Sequence, residues 1–474
     1  MNKIVKSILS ISCAVLILGG LTACRTISAY DLAVKNGYQG TEQEWLESLH
    51  GSDGKDGEDG KDLTAAGLYE TAKKNGFEGS YLEFCQEVLQ VDVQNNNDVD
   101  TIASNITSVV SIYCGFKKTT YYGGIGGWGG GFGGGIPQTQ YYASAGSGVV
   151  IDLDKEEGDA LIVTNYHVIY DADSDLETGI SDSIYLYTYG AHNGFSLQQG
   201  GYADVRGDGM KATYVGGAMD YDIAILKIED SEYIKNSVIS EARFASSNNV
   251  QVGEKVYAIG NPDGAGIAVT EGIISVESEY IQMTSTDGTN KVVDYRVMRT
   301  DAAINGGNSG GALFNAQGGL IGIVNAKNVK TGVDNMGYAL PSTQVRNLCK
   351  NILDNNELYG DGSARVATLG IIVSITDSKA YFDDKGALRI RETVTVAEIR
   401  AKGAATQILA VGDSLNAIKV RDRDWFTFTR QYQLLDQLLT VRKGDTVQLK
   451  ITRDGTEMTM DVTFSEDSHF TEYA

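Results

Sequence analysis

Proline, cysteine and histidine are scarce in this chain, whose 474 residues include only 3, 5 and 4 of them, respectively. No cysteine and histidine cluster has the spacing of a metal site, so neither a metal nor another cofactor is expected. Once an N-terminal signal segment is removed, Cys85, Cys114 and Cys349 remain beside Cys24, and this odd set cannot all pair internally. We therefore expect isolated, buried thiols at Cys114 and Cys349.

The lack of proline also decides what one regular glycine pattern can form. Gly51, Gly54, Gly57 and Gly60 recur every third residue, which is the period of collagen. Four triplets without proline cannot hold a triple helix. Because the intervening residues are mostly charged, the segment is predicted to be a flexible, polar linker.

Positive charge is scarce too, since 39 Lys and Arg residues stand against 62 Asp and Glu, a formal net charge of −23 at pH 7. Nucleic acid and anionic lipid surfaces would repel such a chain. Both are therefore excluded as electrostatic partners.

Long apolar runs are missing except near the N-terminus. Lys3 and Lys6 precede a largely apolar stretch, residues 8–18, that is too short to span a membrane as a mature helix and is typical of a signal peptide. The following residues, Leu21-Thr22-Ala23-Cys24, resemble a bacterial lipobox. This resemblance implies a lipoprotein signal peptide over residues 1–23, lipid on Cys24, and anchorage on the outer face of a cytoplasmic membrane. An ordinary secretory signal with a chance cysteine is the alternative.

Residues 24–100 contain two copies of one motif, at residues 30–45 and 69–84. Each copy has a short helical segment that stops at Asn-Gly, and a second that starts at Thr41 or Ser80 with a glutamate three residues on, a capping box. The segment is therefore predicted to be a helical repeat stalk with the glycine-rich linker inside it. The copies resemble short repeats of Gram-positive surface proteins, which favours a spacer, with ligand binding as the alternative.

The chemistry-bearing residues are a histidine, an aspartate and a serine in that order. His167 follows the apolar segment 161–163, Asp222 directly leads a second apolar segment, and Ser309 lies in the glycine run 306–311. This is the chain order of the chymotrypsin triad. Asp220 is the rival acid, but Asp222 is the one that directly precedes the apolar segment.

The surrounding motifs resemble the HtrA/Do family of trypsin-like serine proteases at five places: residues 164–168, 222–226, 258–262, 300–311 and 337–341. The resemblance implies a two-barrel chymotrypsin-like protease domain over residues 101–357, within a mainly β fold. Gly306 and Ala312 stand where family members commonly carry proline. These departures bear on the rigidity of the loop and replace no reacting group.

A serine hydroxyl needs a base to become a good nucleophile, and an imidazole suits that task near neutral pH. His167 is expected to be this base for Ser309, with Asp222 accepting the other ring N–H. The backbone N–H groups of Gly307 and Ser309 are expected to form the oxyanion hole. His50, His192 and His469 lack comparable partners in the sequence and are expected to be idle.

Residues 358–466 resemble a PDZ domain of the HtrA type. Residues 369–372 are predicted to form a strand, 431–439 a helix and 446–453 a closing strand, while 377–391 fits no family motif. The backbone N–H groups of Leu369, Gly370 and Ile371 would then bind a peptide carboxylate beside the helix, in a groove that accepts an added strand. A purely structural β-domain is the alternative.

The sequence as a whole predicts a membrane-anchored, extracytoplasmic serine endopeptidase of a Gram-positive bacterium. By resemblance, its substrates would be unfolded or damaged exported proteins and its assembly a homotrimer or larger. One alternative is a catalytically silent chaperone or peptide-binding surface protein that kept the fold. Another is a surface adhesin built around the repeats, which would explain the stalk but not His167, Asp222 and Ser309.

Overall fold

The structure is a computed structural model, and it describes residues 98–122, 136–289, 291–326, 336–384 and 386–473. The predicted signal peptide, Cys24, both repeats and the predicted flexible glycine-rich linker lie outside the described residues. The described chain is mainly β, as predicted, with two closed barrels and a further sheet. Among its helices, none is long and apolar enough to cross a membrane.

The first barrel follows helix α1 (Asp98–Asn105) and is closed in the order β1, β2, β3, β8, β7, β4. Its region contains helix α2 (Tyr166–Ile169), helix α3 (Glu232–Asn236) and eight strands: β1 (Val109–Tyr122), β2 (Ile136–Asp154), β3 (Asp159–Thr164), β4 (Ser183–Thr188), β5 (Phe195–Gln198), β6 (Gly201–Asp204), β7 (Met210–Ala218) and β8 (Ile223–Ile228). Strands β5 and β6 form a separate hairpin. The apolar runs of β3 and β8 pair at the centre, where residues such as Ile162 and Leu226 are fully buried, as expected of strands covered on both faces.

The second barrel has six strands in the order β10, β11, β14, β13, β12, β9. Their bounds are β9 (Lys255–Gly260), β10 (Ala268–Thr284), β11 (Val292–Thr300), β12 (Ala312–Asn315), β13 (Leu320–Asn325) and β14 (Gly337–Pro341), and helix α4 (Ser342–Tyr359) follows. One buried apolar cluster includes Val163 and Ile225 of the first barrel together with Ile259 and Val297 of the second. The barrels therefore pack against each other through a shared core. This packing fixes the relative positions of polar residues that the two barrels present to each other.

The C-terminal domain is a sheet in the order β16, β17, β18, β20, β21, with β15 and β22 paired separately. Its elements are β15 (Ala364–Ala367), β16 (Ile371–Phe382), β17 (Leu388–Ile399), β18 (Ser414–Val420), β19 (Phe426–Thr427), α5 (Tyr432–Leu438), β20 (Thr446–Arg453), β21 (Thr456–Thr463) and β22 (Phe470–Tyr473). The predicted helix at 431–439 and strand at 446–453 are confirmed by α5 and β20. The segment 377–391, which fits no family motif, belongs to the long hairpin of β16 and β17.

The strand predicted over residues 369–372 begins later, at Ile371. Gly370 has a left-handed φ of +76°, which an extended strand does not accommodate. The domain limits 101–357 and 358–466 stay predictions; α4 ends at Tyr359 and β22 follows residue 466.

The C-terminal domain is joined to the second barrel through a buried ion pair. The guanidinium of Arg296, on β11, donates to both carboxylate oxygens of Asp436, on α5, at 2.9 Å. The ring of Tyr432 lies 3.4 Å from the guanidinium carbon of Arg296, and Asn347 on α4 donates to the backbone oxygen of Asp436. These contacts therefore fix the position of the C-terminal domain on the second barrel.

Two thiols lie within the described residues, and both are buried and unpaired, as predicted. They belong to Cys114 on β1 and Cys349 on α4. Burial raises the pKa of both thiols, that of Cys349 to about 12. They are therefore uncharged, poor nucleophiles at neutral pH.

Candidate active site

His167 lies where the two barrels meet, in the short helix α2 that follows β3. Its Nδ1 is 2.7 Å from Oδ2 of Asp222, and its Nε2 is 2.9 Å from Oγ of Ser309. The imidazole is 21% exposed, whereas the Asp222 carboxylate is fully buried. The ring therefore has one side fixed by a buried acid and the other side at the Ser309 hydroxyl.

Asp222 stands at the turn between the 3-10 segment Met219–Tyr221 and strand β8. Its φ of +53° is in the left-handed region, where a side chain other than glycine is strained. The conformation is held by contacts of the carboxylate: Oδ1 accepts the backbone N–H of His167 at 3.0 Å, while Oδ2 faces the ring and accepts Nδ2 of Asn325 at 2.9 Å. The acid is thus fixed in position and orientation.

Asn325 is a site residue that the sequence reasoning missed. It ends strand β13, whose six residues are all buried, and it lies beside Asp222 through its side-chain amide. The sequence feature that could have identified Asn325 is its place directly after the apolar run 320–324. A polar residue there is expected to be buried, and a buried amide requires a hydrogen-bond partner.

Ser309 lies in the loop between β11 and β12. Gly307 and Gly310 flank it with φ values of +89° and +82°, which favour glycine. A side chain at Gly310 would also collide with the backbone oxygen of Ser147, since its Cβ would lie 2.1 Å away. Oγ of Ser309 accepts the N–H of Ala326 at 3.1 Å besides its contact with His167.

The predicted oxyanion donors belong to the same loop. The carbonyl of Gly306 accepts the N–H of Asp263 at 2.7 Å. In a trans peptide the C=O and N–H groups point in opposite directions, so the N–H of Gly307 is turned away from Asp263. The N–H groups of Gly307 and Ser309 donate to no other residue that the structure describes. Two donors are therefore available to a ligand.

The remaining candidates lie apart from this group. Asp220 pairs with Lys291 at 2.7 Å, and His192 has a side chain that is 76% exposed and 3.8 Å from Asp208. His469 is near the ring of Phe464 in the C-terminal domain. Within the described residues, no cluster of three or more His, Cys, Asp and Glu side chains could hold a metal.

The predicted peptide groove lies between β16 and α5. β16 is the edge strand of its sheet, and a cavity of 240 Å³ is lined by Leu369 and Ile371, by residues of α5, and by Tyr221 and Tyr280 of the barrels. Gly370 is required at its position, because a Cβ would lie 2.4 Å from the backbone oxygen of Lys402. The N–H of Gly370 donates to the Thr368 hydroxyl, so one of the three predicted amides already has a partner.

Known proteins similar to this chain are serine proteases. The family model of the trypsin-like peptidase domain matches residues 146–323. The serine protease Do-like HtrA of Lactococcus lactis subsp. cremoris is 33% identical over 338 residues, which cover 69% of this chain and 72% of that protein. The protein of the same name from Bacillus subtilis is 29% identical, over 67% of this chain and 62% of its own length. Among solved structures, the HtrA-type protease AlgW with decapeptide aligns with 78% of this chain and 98% of its own, at 23% identity and a TM-score of 0.46.

Proposed function

The chain belongs to the HtrA/Do family of extracytoplasmic serine proteases, and from that premise we propose that His167, Asp222 and Ser309 are its catalytic base, orienting acid and nucleophile. The observation that carries the assignment is the continuous pair of contacts made by the imidazole, 2.7 Å to the acid and 2.9 Å to the hydroxyl. Both lie within the reach that proton transfer requires.

In the first step, Oγ of Ser309 attacks the scissile carbonyl carbon while its proton passes to Nε2 of His167. The buried Asp222 carboxylate holds the proton on Nδ1 and stabilises the imidazolium that forms. When the C–N bond breaks, His167 gives its proton to the leaving amine. Water then attacks the acyl-enzyme with His167 again as the base, which releases the acid and restores the hydroxyl.

The negative charge of each tetrahedral intermediate would be held by the N–H groups of Gly307 and Ser309. The orientation of the Gly307 N–H is held without substrate, because the Gly306 carbonyl in the same peptide plane accepts the N–H of Asp263. A donor that needs no reorientation stabilises the transition state more than the ground state.

The assignment is tested with Ser309→Ala and His167→Ala, measured on casein and on a short peptide. Both variants should retain the fold and lose about 10⁴-fold or more in kcat. The matched control is His192→Ala, an exposed histidine that should leave kcat unchanged. Labelling by a fluorophosphonate should occur in the wild type and disappear in Ser309→Ala. Turnover by purified Ser309→Ala would overturn the assignment and favour another nucleophile; substrate binding without turnover by the wild type would favour a silent chaperone.

We propose further that the protein is held on the outer face of a cytoplasmic membrane by lipid on Cys24, degrades unfolded exported proteins there, and assembles as a trimer or larger. The lipobox-like residues Leu21-Thr22-Ala23-Cys24 support the anchor. Metabolic labelling with a palmitate analogue should mark the wild type and not Cys24→Ala; an unlabelled wild type would indicate an ordinary secretory signal.

Sedimentation of the detergent-solubilised protein tests the proposed trimer or larger assembly, and a monomer would contradict it.

The groove between β16 and α5 is our candidate for binding peptide C-termini, with the carboxylate at Leu369, Gly370 and Ile371. The open edge of β16 and the apolar lining support this function. One apolar-ended peptide is to be measured as the free acid and as the C-terminal amide on the full-length Ser309→Ala variant. Tighter binding of the acid is expected, and equal affinity would favour a structural domain.

A further inference from the structure

Ser147 is a fully buried serine of strand β2 whose hydroxyl and N–H both contact backbone groups of the second barrel. Its hydroxyl accepts the backbone N–H of Asn261 at 2.8 Å and donates to the carbonyl of Gly307 at 2.7 Å. Its own N–H donates to the carbonyl of Ser309 at 2.8 Å. One residue of the first barrel thus contacts the backbone on both sides of Asn308 in the second.

The contact with Gly307 matters because that residue joins two peptide planes. The plane before it is held through the Gly306 carbonyl by the N–H of Asp263, and the plane after it is held by the Ser147 hydroxyl. The dihedrals φ and ψ are the rotations between these planes. With both planes held, the left-handed φ of +89° at Gly307 is fixed from outside the residue.

Within the loop, the N–H of Asn308 also donates to the carbonyl of Asn305 at 3.1 Å, so the plane after Gly307 is held at both edges, by the loop and by Ser147. Gly306 and Gly307 are consecutive glycines, and glycine populates positive and negative φ about equally. Rotation of the plane after Gly307 would also move Asn308 and the N–H of Ser309. The direction of both available donors therefore depends on hydrogen bonds inside the loop together with those that reach it from Ser147 and Asp263.

We propose that Ser147 is a positioning residue for the oxyanion hole, and that its hydroxyl keeps the N–H groups of Gly307 and Ser309 aimed at one point. The inference rests on the proposed roles of those two donors. The hydroxyl touches no substrate atom and takes no proton from one. It acts through the Gly307 carbonyl, with the Asn261 N–H fixing the direction in which the hydroxyl proton points.

A merely structural role predicts something different. If the hydroxyl only satisfied the buried Asn261 N–H, its loss would lower stability and leave the folded enzyme equally active. A positioning role lowers transition-state binding in the molecules that are folded. The decisive readouts are therefore kcat against KM and the affinity for a tetrahedral adduct.

The test uses full-length Ser147→Ala and the matched control Ser108→Ala. Ser108 is also fully buried, and its hydroxyl likewise donates to a backbone carbonyl, that of Asn105, at 2.7 Å. Active enzyme is counted by end-point titration with a fluorophosphonate, so that unfolded protein does not enter kcat. For Ser147→Ala we expect kcat to fall by about 10- to 100-fold with KM within about twofold. The control should keep kcat.

Affinity for a peptide aldehyde, which forms a tetrahedral adduct with Ser309, should weaken in Ser147→Ala by the same factor as kcat. Affinity for the matching peptide alcohol, which forms none, should be unchanged. If the alanine variant does not fold, Ser147→Cys, which keeps a weak donor of similar volume, is measured in the same way and should show an intermediate loss. Equal changes for aldehyde and alcohol would overturn the inference.

The result is separable from that for the proposed function. If Ser309→Ala is inactive and Ser147→Ala keeps wild-type kcat and aldehyde affinity, the positioning role is wrong and the nucleophile assignment stands. If Ser309→Ala still turns over substrate, the proposed function itself fails, whatever Ser147→Ala does.

Discussion

The proposed catalytic site, here called the catalytic site, and the domain junction are both buried polar clusters that join separate parts of the chain, yet they differ in how complete they are. At the junction, Arg296 and Asp436 are 2% and 1% exposed and satisfy each other through two hydrogen bonds. At the catalytic site, His167 is partly exposed, and the N–H groups of Gly307 and Ser309 have no partner within the described residues. A closed cluster can hold two bodies together, whereas an incomplete one can receive a reacting group.

The two regions also differ in the role of their buried charges, the Arg296–Asp436 pair at the junction and the Asp222 carboxylate at the catalytic site. Two ions taken out of water repay the desolvation cost only when each satisfies the other, so the pair at the junction is better understood as fixing an orientation than as adding stability. Burial raises the pKa of Asp436, and Arg296 opposes that rise. Asp222 accepts hydrogen bonds from His167 and from the neutral amide of Asn325, and in the proposed mechanism its charge would stabilise the imidazolium that forms during turnover.

The largest effect is expected from Asp222→Asn at the catalytic site. An amide cannot accept all three of the hydrogen bonds that His167 and Asn325 direct at the carboxylate, and it leaves the imidazole in the wrong tautomer. We expect kcat to fall by about 10³- to 10⁴-fold while the unfolding midpoint stays near that of the wild type. Steady-state cleavage of a short peptide and chemical denaturation measure the two quantities. A large loss of stability with little loss of kcat would contradict the comparison.

The same substitution at the junction, Asp436→Asn, should act in the opposite way. It leaves the guanidinium of Arg296 buried without its counter-charge, which costs about 3–5 kcal/mol of unfolding free energy. Urea unfolding followed by fluorescence of Trp425, after replacement of the two other tryptophans, reports on the C-terminal domain. Short-peptide kcat below the transition should stay within about twofold.

The matched double variant Arg296→Met with Asp436→Leu removes both charges and should recover most of the lost stability. If the double variant is no more stable than Asp436→Asn, an uncompensated charge is not the cause. If Asp436→Asn lowers kcat in fully folded enzyme, the junction and the catalytic site are coupled.

The sequence predicted the first region far better than the second, for a physical reason. The triad chemistry requires a histidine, an acid and a serine, and each follows or leads a recognisable apolar or glycine segment. Arg296 has no such context, because its partner lies 140 positions away and only the packing of α5 on β11 brings them together. Within the catalytic site the same limit applies: Asn325 and Ser147 act through contacts across barrel strands, and only the fold makes them neighbours.

Asn325→Ala tests the part of the catalytic site that the sequence did not indicate. It removes one donor to Oδ2 of Asp222 but leaves both hydrogen bonds from His167. A hydrogen bond to a charged group contributes about 1.5–3 kcal/mol, part of which water can replace, so a loss of kcat of about tenfold is expected. Asn325→Asp is the companion variant: a second carboxylate beside Asp222 should lower kcat further. Unchanged kcat in both variants would mean that His167 alone fixes the acid.

The smallest effect is expected near Tyr221, where the C-terminal domain comes close to Asp222. Tyr221 directly precedes Asp222, lines the groove of the C-terminal domain, and packs edge to face on Tyr473 of β22 with ring centroids 5.1 Å apart. Burial, followed by the neighbouring Tyr473, raises the pKa of Tyr221, so this contact is between uncharged rings at neutral pH.

Tyr473→Ala should lower the unfolding free energy by about 1 kcal/mol for the aromatic pair, in addition to the loss of buried area and of the side-chain hydrogen bond to Tyr221. It should change short-peptide kcat by less than about twofold, because Asp222 is held by His167 and Asn325 rather than by Tyr221. Phe470→Ala is the matched control on the same strand, since Phe470 packs on Phe464 within the C-terminal domain. If Tyr473→Ala lowers kcat tenfold while Phe470→Ala does not, the turn that presents Asp222 depends on the last strand of the chain. In that case contacts of the C-terminal domain would influence the catalytic site, and the two regions could not be treated as independent.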